Sequence, residues 1–281
     1  MIREFLTADS LEDALRKKLN AKGQAQFLAG GTEINRLGSS VCPEIAISLK
    51  NTGLDTITEA NGIVTIGSAV TFQDLLDSVI VPAYLKEACR FCGSLTRRYM
   101  ASIGGNIILQ RDDSYLLPTL VAAKARLNLA DISMDGQYVE ENIPIREFHA
   151  FREHFVESLL TSVVLNKPIR FVASQRFSRT QQSPAAVTIA LGADVSSGEP
   201  HDVRICAAVK GTGVIRFPEI EDGISSGKFN DPQDVVEMIT ASSDFNDDIT
   251  GSAVYKRYIV GTAIASLYRE CLLSVGKGGA V

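Results

Sequence analysis

The residues with the clearest chemistry in this chain are two glycine pairs, far apart in sequence. Phe27-Leu-Ala-Gly-Gly-Thr-Glu-Ile-Asn-Arg-Leu37 runs from an apolar, strand-type stretch, Ala25 to Ala29, into Gly30 and Gly31. Thr32 then reads as a helix N-cap, with Glu33 and Ile34 in the turn behind it. Strand, glycine turn and helix start together aim backbone N–H groups outward, where the helix dipole favours an anion. Ala101-Ser-Ile-Gly-Gly-Asn106 repeats the theme: Gly104 and Gly105 follow Ser102 and Ile103, between apolar segments. Each stretch has two readings. It is a tight turn with no ligand, or a loop whose missing side chains let the backbone close on a phosphate. Two such loops could hold the two phosphates of a dinucleotide from opposite sides.

Other phosphate signatures are absent from the sequence. A Rossmann fingerprint places its three glycines in one turn, and a P-loop needs Gly-x-x-x-x-Gly-Lys-Ser/Thr; neither occurs. A dinucleotide would therefore bind through another architecture. Cys89-x-x-Cys92 invites a metal or redox reading, but no second Cys-x-x-Cys exists. The pair reads as buried small residues. His149 and His154, amid Phe148, Phe151 and Phe155, are poorly spaced for one helix face and read as surface or interface residues. His201 follows Pro200 in a turn without an acid–base partner nearby. Neither a side-chain catalytic set nor a metal site is expected. Arg97-Arg98 either places charge near phosphates or is a solvated pair.

The chain has 281 residues, 45% of them hydrophobic and 22% charged, enough to bury a real core. Its formal net charge of -5 argues against nucleic acid, which needs a basic face. The five cysteines are odd in number and widely spread, and Met1-Ile-Arg-Glu-Phe does not open a signal peptide. No apolar stretch reaches the roughly 20 residues that span a bilayer. A cytoplasmic protein without a membrane partner is expected.

The elements that must position the glycines are legible in part. Ser10 with Asp13 opens a helix with Leu11, Ala14, Leu15 and Leu19 on one face, ending near Asn20 and Gly23. Strand Ala25–Ala29, the glycine turn, a short helix and the buried strand Glu44–Leu49 complete a small α/β unit with right-handed crossovers. Asn61-Gly62 turns into strand Ile63–Ile66, and a Thr71–Asp74 capping box opens a helix through Asp77. Pro82 starts a helix to about Cys92. Leu116–Lys124 is an apolar helix with Pro118 in its first turn. Ala125–Ala130 and Gln137–Glu140 form a hairpin about Asp135-Gly136. From Leu159 the pattern changes. Leu159–Leu165, Arg170–Ser174, Ala186–Val195 and Val203–Lys210 are strand-like runs, followed by helices Pro232–Thr240 and Ala253 to about Leu273. Strands followed by helices suggest an antiparallel sheet covered on one face, an α+β layer. Residues 276–281 read as frayed.

Phe-Leu-Ala-Gly-Gly-Thr-Glu-Ile at 27–34, Ala-Ser-Ile-Gly-Gly-Asn-Ile at 101–107 and Leu-Leu-Pro at 116–118 stand together in an order and spacing that resemble one family. It is the FAD-binding subunit or domain of the molybdenum hydroxylases, such as xanthine dehydrogenase and carbon monoxide dehydrogenase. Thr250-Gly-Ser-Ala-Val-Tyr-Lys-Arg-Tyr258 is similar to its late motif Arg-Gly-Ser-Ala-Xaa-Tyr-Arg-Arg. The chain looks closest to the flavin subunit of bacterial xanthine/hypoxanthine dehydrogenase-like enzymes whose cofactor parts are separate polypeptides. The resemblance implies an FAD-binding fold of the vanillyl-alcohol-oxidase/cholinesterase-like type. Two α/β subdomains, about 1–54 and 55–165, are followed by an α+β C-terminal domain over 166–281.

The resemblance also implies a site. Phe27, Leu28, Ala29, Gly30, Gly31, Thr32, Glu33 and Ile34, with Ser102, Ile103, Gly104, Gly105 and Asn106, would wrap the pyrophosphate of FAD. Asn106 can donate through its amide. Tyr115 stands where the family has an Asp that binds a sugar hydroxyl, with Asp113 and Ser114 as substitutes. Leu159 is carried over as a flavin-side contact. Gln175 stands about where some members have a Lys, with Arg176 and Arg179 nearby. Electrons would pass from a 2Fe-2S small subunit through FAD to NAD or another acceptor, and a molybdopterin-binding large subunit would oxidise a purine-like substrate. The Tyr115 departure leaves a second reading: a bridging subunit that kept the fold but lost or weakened its FAD binding.

Overall fold

The computed structural model describes residues 2–36, 39–166, 170–196, 198–229, 231–242 and 244–277. Leu37, the end of the first glycine stretch, and the tail beyond Lys277 lie outside the described residues. The chain folds into two compact units. The first contains Met1–Val81, Ser94–Leu109 and Ala125–Asn166; the second contains Pro82–Gly93, Gln110–Lys124 and Lys167–Val281. The last segment of the second unit begins at Lys167, and two earlier segments group with it.

In the first unit, the Ser10 hydroxyl accepts from Asp13 N at 3.0 Å and caps α1 (Leu11–Asn20). Strands β1 (Glu4–Thr7), β2 (Ala25–Leu28) and β3 (Ile45–Ser48) form a parallel sheet in the order β1-β3-β2. Ala14 and Leu15 of α1 pack with Ala25, Ile47 and Leu49 in one apolar cluster. A second sheet is antiparallel throughout. Its strands are β4 (Ile57–Ala60), β5 (Ile63–Gly67), β6 (Arg126–Ile132), β7 (Tyr138–Pro144) and β8 (Leu159–Asn166), in the order β4-β5-β8-β6-β7. Asn61 and Gly62, with φ of 52° and 77°, make the tight β4–β5 turn. Thr71 and Asp74 form the reciprocal capping box of α2 (Phe72–Asp77). Short helices α4 (Leu95–Arg98), α5 (Ile103–Leu109) and α7 (Ile145–Ala150) complete the unit.

The first of the four late strand-like runs, β8, therefore belongs to this unit, between β5 and β6. The other three build the second unit. Its sheet runs β12-β11-β10-β9, all antiparallel, from β9 (Arg170–Phe177), β10 (Val187–Asp194), β11 (His201–Val209) and β12 (Gly213–Arg216). Helices α3 (Ala83–Arg90) and α6 (Leu117–Ala122) come from the two inserted segments. Helices α8 (Pro218–Ser225), α9 (Pro232–Ser242) and α10 (Ala253–Lys277) follow the sheet.

The expectation of a sheet covered on one face is corrected here. Val187, Ile189, Leu191 and Ala193 of β10 join Ile264, Leu267 and Cys271 of α10 in the core. The alternate residues Thr188, Ala190 and Gly192 are buried too, on the opposite face. A Cβ on Gly192 would lie 2.1 Å from the Ala122 carbonyl oxygen, so the end of α6 rests on the strand backbone. The one helix among the described residues long and apolar enough to cross a membrane is within α10, at Ala253–Val275, and half of it is buried. The expectation that no stretch reaches that length is corrected accordingly; Ile264, Leu267 and Cys271 put one side of this helix in the core.

Replacing Gly192 by Ala forces Cβ into a main-chain carbonyl that no rotamer change can relieve. Gly192→Ala is expected to cost about 1–3 kcal/mol in urea denaturation followed by far-UV circular dichroism. A cost below about 0.5 kcal/mol would show that α6 is not seated on β10.

Candidate functional site

Strand β2 delivers Phe27 and Leu28 into the first glycine turn. Gly31 takes φ of 67°, a left-handed conformation that favours glycine. Gly30 is required for space: its Cβ would lie 1.5 Å from the Met100 carbonyl oxygen. Among the described residues, the helix expected behind Thr32 does not form. Residues 32–35 make one turn, closed by Asn35 N to Gly31 O at 3.0 Å. Thr32 therefore caps no helix, and the macrodipole argument does not apply. The Glu33 carboxylate instead pairs with Arg36 at 2.7 Å and accepts from the Ser39 hydroxyl at 2.9 Å, which fixes the turn. Among the described residues, the amides of Gly30, Gly31, Thr32 and Ile34 have no acceptor. They form a run of main-chain donors suited to an anion.

The second stretch is a helix start, not a loop. Ser102 accepts from Gly105 N through its hydroxyl at 3.1 Å and from Asn106 N through its carbonyl at 3.1 Å. Ile103 N and Gly104 N donate to Val70 O and Ser68 O at 3.0 and 2.9 Å. These amides are spent on the protein, so the stretch offers closeness in place of donors. A Cβ on Gly104 would lie 2.7 Å from Ser68 O. Among the described residues, only the Ser102 hydroxyl comes within 4 Å of such a Cβ on Gly105, leaving that side of α5 open. Met100 immediately precedes this stretch, so its contact with Gly30 brings the two glycine pairs together within one unit.

The flanking residues divide. Phe27 is half-buried, with the Lys18 ammonium 4.8 Å from its ring centroid. Lys18 also donates to Val156 O, and burial pushes its pKa down. Leu28 approaches Gly31, and Ala29 is exposed. Leu159 is buried with Leu15, Leu54 and Ala130, so its side chain belongs to the core.

Tyr115 lies in the second unit. The residues offered as substitutes for its missing carboxylate are engaged elsewhere. The Asp113 oxygens take Arg111 at 2.7 and 3.0 Å. Burial raises the Asp113 pKa, but Arg111 and Lys210 outweigh it and hold the carboxyl below its ordinary range. Ser114 is buried and accepts from Leu117 N, the first residue of α6, at 3.2 Å. Strand alternation separates Gln175 from Arg176. The Gln175 amide donates to Ser266 of α10 at 3.2 Å, whereas Arg176 places its guanidinium 5.7 Å from the Tyr115 ring centroid. Arg176 Nη1 donates to the Ser178 hydroxyl at 2.5 Å, and its buried Nε has no hydrogen-bond partner among the described residues. The period of two along β9 is the signal that puts Arg176, and not Gln175, on the side of Tyr115.

Cys89 and Cys92 are buried and form no disulfide among the described residues. His154 stacks on Phe151 at 5.8 Å, and His201 Nδ1 meets Glu199 O at 2.9 Å. Arg98 donates to the Gln73 side chain at 3.2 Å. Just before the late motif, Asp248 accepts from Thr250 N and its hydroxyl at 2.8 and 2.6 Å and pairs with Lys256 at 2.9 Å. Burial raises the Asp248 pKa, but the Thr250 and Lys256 hydrogen bonds outweigh it and hold the carboxyl at about 2.

This fold, with an amide-rich turn set against a glycine helix start, defines a nucleotide-cofactor domain. The family described as the FAD binding domain in molybdopterin dehydrogenase matches residues 2–165. The Escherichia coli K12 protein YgfM is 32% identical over 272 residues, 96% of this chain and 97% of that one. Xanthine dehydrogenase of Dictyostelium discoideum is 28% identical over 210 residues, 65% of this chain but 15% of that one. Carbon monoxide dehydrogenase from Hydrogenophaga pseudoflava superposes with a TM-score of 0.82 at 20% identity, covering 96% of both chains. Quinoline 2-oxidoreductase from Pseudomonas putida 86 gives 0.79 at 17% identity, covering 100% of this chain and 99% of that one. The chain belongs to the family of FAD-binding domains of molybdopterin dehydrogenases, and so to an oxidoreductase class.

Two outcomes test this geometry. Gly30→Ala should cost at least about 3 kcal/mol in urea denaturation, while Gly105→Ala should stay within about 1 kcal/mol of the parent. Equal effects would contradict the contact with Met100. The Asp248 carboxyl titrates below its ordinary value of about 3.9, so its stabilisation is complete above about pH 4 and fades as pH falls toward 2. Asp248→Asn should lower stability at neutral pH and flatten the acid limb of a thermal-melting profile; an unchanged acid limb would remove Asp248 from the account.

Proposed function

We propose that this chain is the FAD-binding electron-transfer subunit of a multi-subunit molybdenum hydroxylase of xanthine/hypoxanthine dehydrogenase-like type. The observation that carries the reading is the meeting of the two glycine stretches. Amides without acceptors at Gly30, Gly31, Thr32 and Ile34 share a unit with the open side of Gly105. These residues fit a diphosphate: the turn supplies donors, and the helix start supplies an approach without a Cβ. FAD when bound supplies the electron-transfer chemistry, while the protein binds and orients it. In this reading Gly30 to Ile34 hold phosphate oxygens and Gly105 admits them at close range; Tyr115 is the residue that stands in sequence where the family has its sugar-binding carboxylate.

Electrons arrive from a 2Fe-2S small subunit and leave to NAD or another acceptor, and a molybdopterin-binding large subunit oxidises the substrate in the cytoplasm. The likeness to Dictyostelium xanthine dehydrogenase supports a purine-like substrate. One observation favours the second reading, a bridging subunit with weakened FAD binding. Asp113 and Ser114 are both committed to internal bonds, so neither replaces the carboxylate missing at Tyr115.

Absorption of the purified chain, incubated with FAD and then desalted, separates the two. Flavin bands at about 370 and about 450 nm are expected, and a colourless protein would refute the electron-transfer reading. Gly105→Asp sets a carboxylate on the open side of α5. It should weaken FAD binding roughly hundredfold while leaving the melting temperature of the apoprotein unchanged.

A further inference from the structure

We infer that Lys210 and Lys256 are positioning residues for Tyr115. They act as a ladder that runs from the start of α10, through the β11–β12 turn, to the segment that carries this tyrosine. What Tyr115 touches rests on the FAD reading above; the ladder itself rests on geometry within the second unit.

The first rung is Lys256, whose side chain is fully buried. An ammonium out of water is tolerated only when its donors are met. Lys256 Nζ donates to Lys210 O at 2.7 Å and to Asn246 O at 2.7 Å, and pairs with Asp248 at 2.9 Å. Three donors meet three acceptors. The Asn246 side chain adds a bond to Gly211 O at 2.8 Å. The β11–β12 turn at Lys210–Gly211 is therefore gripped at two successive carbonyls, by Lys256 of α10 and by Asn246 of the segment before it.

The second rung leaves the same turn. Lys210 Nζ donates to Asp112 Oδ1 at 2.6 Å, and Gly211 N donates to Asp112 Oδ2 at 2.9 Å. Both oxygens of one carboxylate are thus held by consecutive residues of a turn that is itself held. Lys210 also reaches Asp113 at 3.5 Å, where Arg111 binds the same carboxylate. Residues 111–116 contain no helix or strand, so these ion pairs stand in for ladder hydrogen bonds. Ser114 then accepts from Leu117 N at the start of α6, and Tyr115 lies between the gripped aspartates and the helix, over Arg176. The late Thr250–Tyr258 motif thereby gains a role: it supplies the buried lysine that fixes the turn.

The sequence contains no tryptophan, so Tyr115→Trp creates a single fluorescent probe at the residue in question. In the full-length apoprotein, Lys210→Ala or Lys256→Met in this background should raise acrylamide quenching about twofold, and Lys210→Arg should restore it. Val260→Ala, a core change in α10, controls for lost stability and should leave quenching unchanged. With Tyr115 retained, Lys210→Ala should weaken FAD binding about tenfold, and adding Tyr115→Ala should cost less than twofold more than Tyr115→Ala alone. Quenching that ignores Lys210, or responds equally to Val260→Ala, overturns the ladder, as does additivity of the two substitutions in FAD affinity. Quenching that responds as expected in a chain that binds no FAD overturns the flavin reading and leaves the ladder standing.

Discussion

The Met100 carbonyl oxygen occupies the place where a side chain on residue 30 would begin. That contact forces the β2 turn against the segment leading into α5. Gly104 repeats the device on the other side of the helix start, where Ser68 at the end of β5 excludes a Cβ. The β2 turn, the start of α5 and the exit of β5 are thus interlocked through backbone alone. Backbone contacts of this kind have no rotamers to adjust, so the spacing between the two glycine stretches is set rigidly. The same turn leaves four amides without acceptors among the described residues, a state that water or an anionic ligand must satisfy.

Much of the first unit is legible because its signals are local. Ser10 with Asp13 and Thr71 with Asp74 announce α1 and α2 at their caps, and both caps form. Where the local signal misleads, a tertiary term decides. Thr32 and Glu33 look like a helix start, yet Asn35 and Arg36 are exposed and offer no apolar face, so only one turn forms. Gly104 and Gly105 look like a loop, yet Ser102 caps the segment and Ile103 and Ile107 are buried, which overrides the low helix propensity of glycine.

The second unit is harder to read because its partners are distant in sequence. The small residues Ala190, Gly192 and Ala208 hint that something lies close on the second face of the sheet. They do not say that it is α6, from a segment before residue 125. The short strands β1 and β12 have no fully buried residue, and so no strong periodic pattern. At the site, the period of two along β9 distinguishes Arg176 from Gln175 once the strand's register with β10 is known. The chain alone leaves that register open.

Charge is used differently in the two units. In the second, Lys256, Lys210 and Arg111 are each matched to carboxylates, and Glu221 is buried against Arg216. Removing one member of such a pair strands the other, so these charges fix geometry without being available to a ligand. The glycine turn of the first unit takes the opposite course. It offers neutral amide dipoles, which carry no net charge to desolvate and need no counter-charge when no anion is present. In a chain of net charge -5, a dinucleotide is better met by such dipoles, held in place by backbone contact, than by lysines that neighbouring carboxylates would recruit. The division follows from the sequence itself: basic residues stand beside acidic ones at Arg111 to Asp113, while Gly30 and Gly31 lie next to none.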